Sequence, residues 1–196
     1  MIAIVDYGAG NLTSVVKALQ YLAHDCAVTS DPDIVGRAEK WIIPGVGNFK
    51  ATAPLMNEKL GAVVREGVAN GRPLLGICLG LQWMFAGSTE APELSGLGAF
   101  VGQCTRFTDR VKSPHVGWDS LAMTGSSRLL AGIPSGSYVY FTHSYRAPLC
   151  ADTVATCTYE HPFTAAAERG NLFGVQFHPE KSGDVGLQIL ENFCAL

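Results

Sequence analysis

Pro73-Leu74-Leu75-Gly76-Ile77-Cys78-Leu79-Gly80-Leu81-Gln82-Trp83-Met84 joins two apolar runs across a Gly-x-Cys-x-Gly centre. The first run reads as a strand and the second has helical character, so the stretch predicts strand, tight turn, helix, with Cys78 at the apex. This is the thiol counterpart of the Gly-x-Ser-x-Gly nucleophile elbow. Gly76 and Gly80 flank the cysteine at a distance of two because a sharp turn brings backbone against backbone and leaves no room for a Cβ. A thiol at the start of a helix also faces the positive end of the helix dipole, which favours the thiolate. Taken alone, the same pattern fits a buried structural cysteine, which is what most free cysteines are.

Before the elbow the chain alternates strands and helices. Ile2–Val5 is a short apolar strand. Asp6-Tyr7-Gly8-Ala9-Gly10 is a turn, and a helix follows with Asn11 as N-cap and Leu12, Val15, Val16, Leu19 and Leu22 at helical spacing. Strand, Gly-Ala-Gly and helix invite a dinucleotide reading, but the third glycine of that fingerprint falls at Thr13 and the motif fails. Cys26–Thr29 is a second strand, Asp31-Pro32 starts a turn, and Trp41–Ile43 is a third strand running into Pro44-Gly45-Val46-Gly47-Asn48-Phe49. The next helix carries Met56, Leu60, Val63, Val64 and Val68 inward and Lys59, Arg65 and Glu66 outward. The order β-α-β-β-α-β-α predicts an α/β fold with an open, largely parallel sheet flanked by helices, in one domain spanning 1–196. Such sheets place ligands at the carboxyl ends of their strands, where the Pro44 loop and Cys78 both lie.

After the elbow, 87–98 reads as a loop. Strand-like runs at 99–107, 116–123, 137–147, 153–159, 163–168 and 172–177 then predict additional, partly antiparallel sheet. Ser182 is a candidate cap for a last helix with Val185, Ile189, Leu190 and Phe193 on one face.

Composition bounds the function. With 47% apolar and 16% charged residues and a net charge of −3, nothing points to nucleic acid or an anionic membrane surface. No run approaches the ~18 apolar residues of a membrane span, and the N-terminus opens directly on a strand, so a cytoplasmic protein is expected. The six cysteines form no Cys-x-x-Cys and stand at no zinc spacing with histidine, so neither disulfides nor a metal is expected.

A nucleophilic cysteine needs a base and a group to orient it. His178, in Gly174-Val175-Gln176-Phe177-His178-Pro179-Glu180, lies at a strand end, and Pro179 holds it extended. Residues two apart then face the same way, so Glu180 can take one imidazole nitrogen while the other addresses the thiol. His143, in Phe141-Thr142-His143-Ser144-Tyr145, also follows an apolar strand and competes for the role. His115 precedes Val116-Gly117-Trp118 in a loop, and His24 and His161 read as surface or turn positions. Gln82, four residues after Cys78, shares its helical face and could meet a bound substrate, although an ordinary exposed glutamine fits as well. The Pro44–Gly47 loop could aim a backbone N–H at an oxyanion, with Leu79 as second donor.

Pro44-Gly45-Val46-Gly47, Gly76-Ile77-Cys78-Leu79-Gly80-Leu81-Gln82 and Gln176-Phe177-His178-Pro179-Glu180, in this order, resemble the class I glutamine amidotransferases. Asp6–Leu12, His115-Val116-Gly117-Trp118, Tyr140–Tyr145 and His178–Ser182 narrow the resemblance to the glutaminase subunits of imidazole glycerol phosphate synthase, over essentially the whole chain. The resemblance implies that Cys78 attacks the side-chain amide of glutamine, that His178 moves the protons and that Glu180 holds His178. It implies an oxyanion hole from the amides of Leu79 and Val46 or Gly47, and a glutamine site from Gln82 and the backbone around Ser144 and Tyr145. It implies a cyclase subunit as heterodimer partner and receiver of ammonia, with Asn11, Trp118 and Lys181 near the contact, and no metal or organic cofactor.

Two positions depart from the pattern. Many relatives carry Pro-Gly-Gly where this chain has Pro44-Gly45-Val46, and valine resists the positive φ open to glycine. This predicts an oxyanion hole that is incomplete until a partner binds. Asp119 stands where the resemblance leads to an asparagine. The rival readings are a glutaminase serving pyridoxal phosphate synthase, a free-standing thiol hydrolase and a catalytically silent scaffold subunit.

Overall fold

The computed structural model describes residues 1–57 and 59–196. In the first half, strands β1 (Ile2–Val5), β2 (Cys26–Thr29), β3 (Lys40–Gly45) and β4 (Leu74–Cys78) are connected through helices α1 (Leu12–Tyr21), α2 (Pro32–Arg37), α3 (Pro54–Asn57) and α4 (Lys59–Ala69). Helix α5 (Leu79–Met84) leaves β4 directly. The second half supplies β5 (Gly87–Ser88), β6 (Gln103–Arg106), β7 (His115–Ser120), β8 (Ala122–Met123), β9 (Tyr138–His143), β10 (Tyr145–Arg146), β11 (Thr153–Thr158), β12 (Pro162–Arg169), β13 (Leu172–Val175) and helix α6 (Gly183–Ala195).

The main sheet runs β2-β1-β3-β4-β13-β12-β11-β8. Its first five strands are parallel, and β13, β12, β11 and β8 pair antiparallel in turn. The fold is therefore the mixed α/β architecture that the sequence predicts. Side chains alternate between two cores, as strand geometry requires. Ile2, Ile4, Ile42, Leu75 and Ile77 pack with Val15 and Leu19 of α1 and Ile189, Leu190 and Phe193 of α6. Ala3, Val5, Trp41, Ile43 and Leu74 pack on the opposite face with Val35, Leu60, Val64, Leu79 and Leu81 of α2, α4 and α5. Both faces of the parallel strands are covered, which is why β1 and β4 read as unbroken apolar runs. Each large aliphatic side chain so buried contributes roughly 1.5–3 kcal/mol.

Several local expectations are corrected. Asp31-Pro32 opens α2 and not a plain turn: the Asp31 carboxylate accepts from the Asp33 amide at 2.8 Å and Pro32 occupies the first helical turn. Asn11 stands at the N-cap of α1, but its Nδ2 donates to Ser14 Oγ and its side chain caps no amide. Ser182 likewise precedes α6 without capping it; its hydroxyl donates to the His178 carbonyl (2.6 Å) and accepts from the Tyr140 amide (3.0 Å). Arg65 is half-buried, with Nη1 donating to the Met56 carbonyl at 2.7 Å. His115 begins strand β7 and is buried, where a loop position was expected.

Candidate active site

The elbow owes its shape to three close approaches. Cys78 takes φ +54° and ψ −104°, a conformation that is costly for any residue with a Cβ. A Cβ on Gly76 would lie 2.7 Å from the Gly80 carbonyl, and one on Gly80 would lie 1.9 Å from the Ile43 carbonyl oxygen of β3. The two flanking glycines therefore let α5 rise directly off β4 and lean on β3. Gly45, the register partner of Cys78, is equally crowded, with the Tyr7 hydroxyl 2.1 Å from where a Cβ would sit.

Strand β13 lies on the other side of β4, and the chain beyond it carries His178 to the same end of the sheet. His178 and Glu180 have side chains only 2% exposed, and Nδ1 lies 2.8 Å from Glu180 Oε1. Burial pushes the His178 pKa down, but the Cys78 sulfur and the Glu180 carboxylate outweigh it and hold the imidazole up at about 10. Among the described residues, His178 Nε2 and Glu180 Oε2 are buried and make no hydrogen bond. The sulfur itself lies 3.9 Å from the Thr142 carbonyl and accepts from Gln176 Nε2 at 3.6 Å.

A cavity of about 380 Å³ opens beside Cys78, lined among others by Val46, Gly47, Leu79, Gln82, Ser144 and Tyr145. These are the positions the sequence places at the oxyanion hole and the glutamine site. The positive φ in the Pro44 loop is taken by Gly47 (+100°) and not by Val46. Gln82 is buried, contrary to the exposed reading, and its Nε2 donates to the Tyr145 carbonyl (2.8 Å) and to Gln176 Oε1 (3.2 Å). His143 lines the cavity too, but its Nδ1 donates to the Tyr145 carbonyl and its Nε2 is turned to His115. It therefore does not address the thiol.

Glu90, Pro114 and Thr142 also line the cavity and lie outside the sequence reading of the site. Glu90, in the segment read as a plain loop, borders the cavity while Oε2 accepts from the Phe49 amide at 2.7 Å. Thr142 reaches the sulfur through its carbonyl, which no side-chain pattern reports. Gln176 was visible only as part of a motif.

Outside the cavity, β7 and β9 form a hairpin whose outer face exposes Val116, Trp118 and Tyr138. The Lys181 ammonium sits 5.8 Å from the Tyr140 ring centre and Trp118 stands edge-on to the same ring at 6.2 Å. Asn11 is exposed at the start of α1. Asp119 points back from the hairpin towards His115, with Oδ2 3.5 Å from Nε2. Among the described residues, no three His, Cys, Asp or Glu side chains group as metal ligands would, and no helix is long and apolar enough to cross a membrane. All six cysteines are free.

The family model described as glutamine amidotransferase class-I matches residues 3–196. The imidazole glycerol phosphate synthase subunit HisH of Moorella thermoacetica is 46% identical, over 100% of this chain and 94% of that protein. The subunit HisH of Thermococcus kodakarensis is 47% identical over the whole of both. Among solved structures, a glutamine amidotransferase superposes with a TM-score of 0.77 at 18% identity, covering 99% of this chain and 100% of the other. PurLQS from Thermotoga maritima superposes at 0.73 and 17% identity, covering 99% and 97%. The chain belongs to the class-I glutamine amidotransferase family, among the HisH subunits of imidazole glycerol phosphate synthase.

Proposed function

We propose that the chain is a single-domain glutaminase that splits L-glutamine into glutamate and ammonia for a cyclase partner, with which it forms the heterodimeric imidazole glycerol phosphate synthase of histidine biosynthesis. The observation that carries this reading is the meeting of Cys78 with the buried His178–Glu180 pair at adjacent ends of β4 and β13.

In this scheme Cys78 Sγ attacks the side-chain amide carbon of glutamine with its proton already held on His178 Nε2. The tetrahedral oxyanion lies between the amides of Leu79 and of Val46 or Gly47. It collapses to a thioester as His178 returns the proton to the departing ammonia. Water, deprotonated by His178, then cleaves the thioester to glutamate and free thiol. Glu180 holds the imidazole in the tautomer and orientation this requires. Gln82, whose Nε2 is already committed, offers Oε1 to the substrate; the backbone of Ser144 and Tyr145 lines its path, and the free oxygen of Glu90 suits the substrate ammonium. Each step uses the chain's own groups, and the reaction is placed in the cytoplasm.

The exposed Val116, Trp118 and Tyr138, with Lys181 against Tyr140 and the exposed Asn11 at the start of α1, form the docking face for the partner. A negative φ at Val46, where glycine would allow either sign, leaves the oxyanion hole to be completed on docking.

The test is glutamate release by the purified chain, alone and with the cyclase subunit and its nucleotide ligand, with Cys78→Ala as control. Low activity alone, a large rise with the loaded partner and loss in Cys78→Ala support the reading. An equal, Cys78-dependent rate in every mixture makes the chain a free-standing hydrolase. Turnover that survives Cys78→Ala refutes the site.

A further inference from the structure

The Tyr145 carbonyl accepts two side-chain hydrogen bonds, from Gln82 Nε2 and from His143 Nδ1, both at 2.8 Å. A carbonyl can only accept, and this one fact orients every polar group on either side of it. Gln82 must present its NH2, and the second hydrogen of that group goes to Gln176 Oε1 at 3.2 Å. An amide that accepts through its oxygen turns its nitrogen the other way, and Gln176 Nε2 lies 3.6 Å from Cys78 Sγ. Gln176 is fully buried. On the other side, His143 carries its proton on Nδ1. Burial holds that imidazole neutral, its pKa pushed down to about 3, so Nε2 keeps a lone pair. His115 Nδ1 lies 3.3 Å from it. The His115 ring is clamped between Phe141 (centroids 5.0 Å, planes 19° apart) and Tyr159 (4.0 Å, 15°), and its Nε2 faces Asp119 on the partner-facing hairpin.

We infer that His143, Gln82 and Gln176 form one buried relay, joined through the Tyr145 carbonyl, that holds a hydrogen-bond donor on the Cys78 sulfur. The inference rests on Cys78 being the nucleophile. His143 is a positioning residue: its ring nitrogens are turned to the Tyr145 carbonyl and to His115, and it acts by fixing that carbonyl. An N–H aimed at sulfur favours thiolate over thiol, because the charged acceptor forms the stronger bond. The relay also leaves Gln82 Oε1 as that side chain's only group free for the cavity. A merely structural histidine would support folding without touching the reactivity of a thiol four hydrogen bonds away.

The readout is the pH dependence of Cys78 alkylation by iodoacetamide, followed on the peptide bearing residue 78 by mass spectrometry. Gln176→Leu removes the donor and moves the alkylation midpoint up by about one pH unit, a tenfold loss of thiolate below it. His143→Phe moves it in the same direction, and His143→Gln, which keeps a donor for the Tyr145 carbonyl, restores the parent midpoint. Should His143→Phe fail to fold, Gln176→Leu and His143→Gln decide. A folded Gln176→Leu with the parent profile overturns the relay, as does a folded His143→Phe with the parent profile. If Cys78→Ala still abolishes turnover in that case, the nucleophile stands and only the relay falls; if Cys78→Ala stays active, both fall.

Discussion

Replacing Gly80 with alanine places a methyl group 1.9 Å from the Ile43 carbonyl oxygen, and the carbonyl carbon is 3.0 Å away. Carbon atoms of this kind are not found closer than 3.0 Å, so α5 and β3 must part by about 1.1 Å. Both sides of the contact are backbone, and Ile43 is held in register with Gly76 of β4, so no side-chain rotation relieves it. Overpacking of this sort costs about 1–3 kcal/mol, with the upper end expected when only backbone can yield. The same displacement moves Cys78 and the Leu79 amide, which precede Gly80 by two residues and one. A misplacement of about 1 Å in a reacting group costs on the order of 10²-fold in rate. We therefore expect Gly80→Ala to lower the urea midpoint, followed through the buried Trp41 and Trp83, by the equivalent of about 3 kcal/mol. Its kcat/KM for glutamine should fall about 100-fold or more. Gly125→Ala, where an added Cβ meets nothing within 4 Å, is the control and should change neither. Parent-like stability and turnover in Gly80→Ala would refute the argument that the glycine frame shapes the elbow.

The positive φ at Cys78 makes a second prediction. Cys78→Gly should melt at a higher temperature than Cys78→Ala, by the equivalent of about 1 kcal/mol, with both inactive; the usual order, alanine above glycine, would show that the turn stores no strain. A third concerns Glu180→Gln. The folded pKa of His178 lies above its unfolded value near 6.5, so the ion pairing stabilises fully below that pH and is lost as pH rises through about 10. Parent minus variant stability should thus be largest near pH 6, at about 1.5–3 kcal/mol, and shrink towards pH 10. Turnover should fall about 10–100-fold and its alkaline limb should move to lower pH. A stability difference independent of pH would show that His178 is not held protonated by Glu180.

Elements whose cause is local could be read from the chain. Gly76 and Gly80 announce the elbow because the close approaches they permit lie within a few residues, and His178-Pro179-Glu180 announces its pairing because an extended segment fixes which side chains share a side. Parallel strands were legible as apolar runs because both faces are covered. The misreadings have the opposite character. Pro32 signalled a turn, yet the Asp31 carboxylate and the first-turn proline make a helix start, a choice decided by one hydrogen bond. His115 was set in a loop because its strand partner, His143, is 28 residues away. Gln82 is legible as a cavity residue from its spacing to Cys78, but its burial is not, since nothing nearby in the chain reveals Tyr145 and Gln176 as its partners. Glu90 was missed for the same reason: its link to Phe49 spans 41 residues.

The seating of β13 against β4 also sets the order in which the molecule matures. Residues 78 and 178 are a hundred positions apart, and the strand that joins them is made among the last. Until β13 arrives, β4 has β3 on one side and a bare row of amides and carbonyls on the other, on a strand that is apolar throughout. A chain still emerging from the ribosome thus carries an open sheet edge ending in a cysteine that has not yet met its histidine. The hazard of that interval is association through the β4 edge, and a chain ending before residue 172 would remain in it permanently.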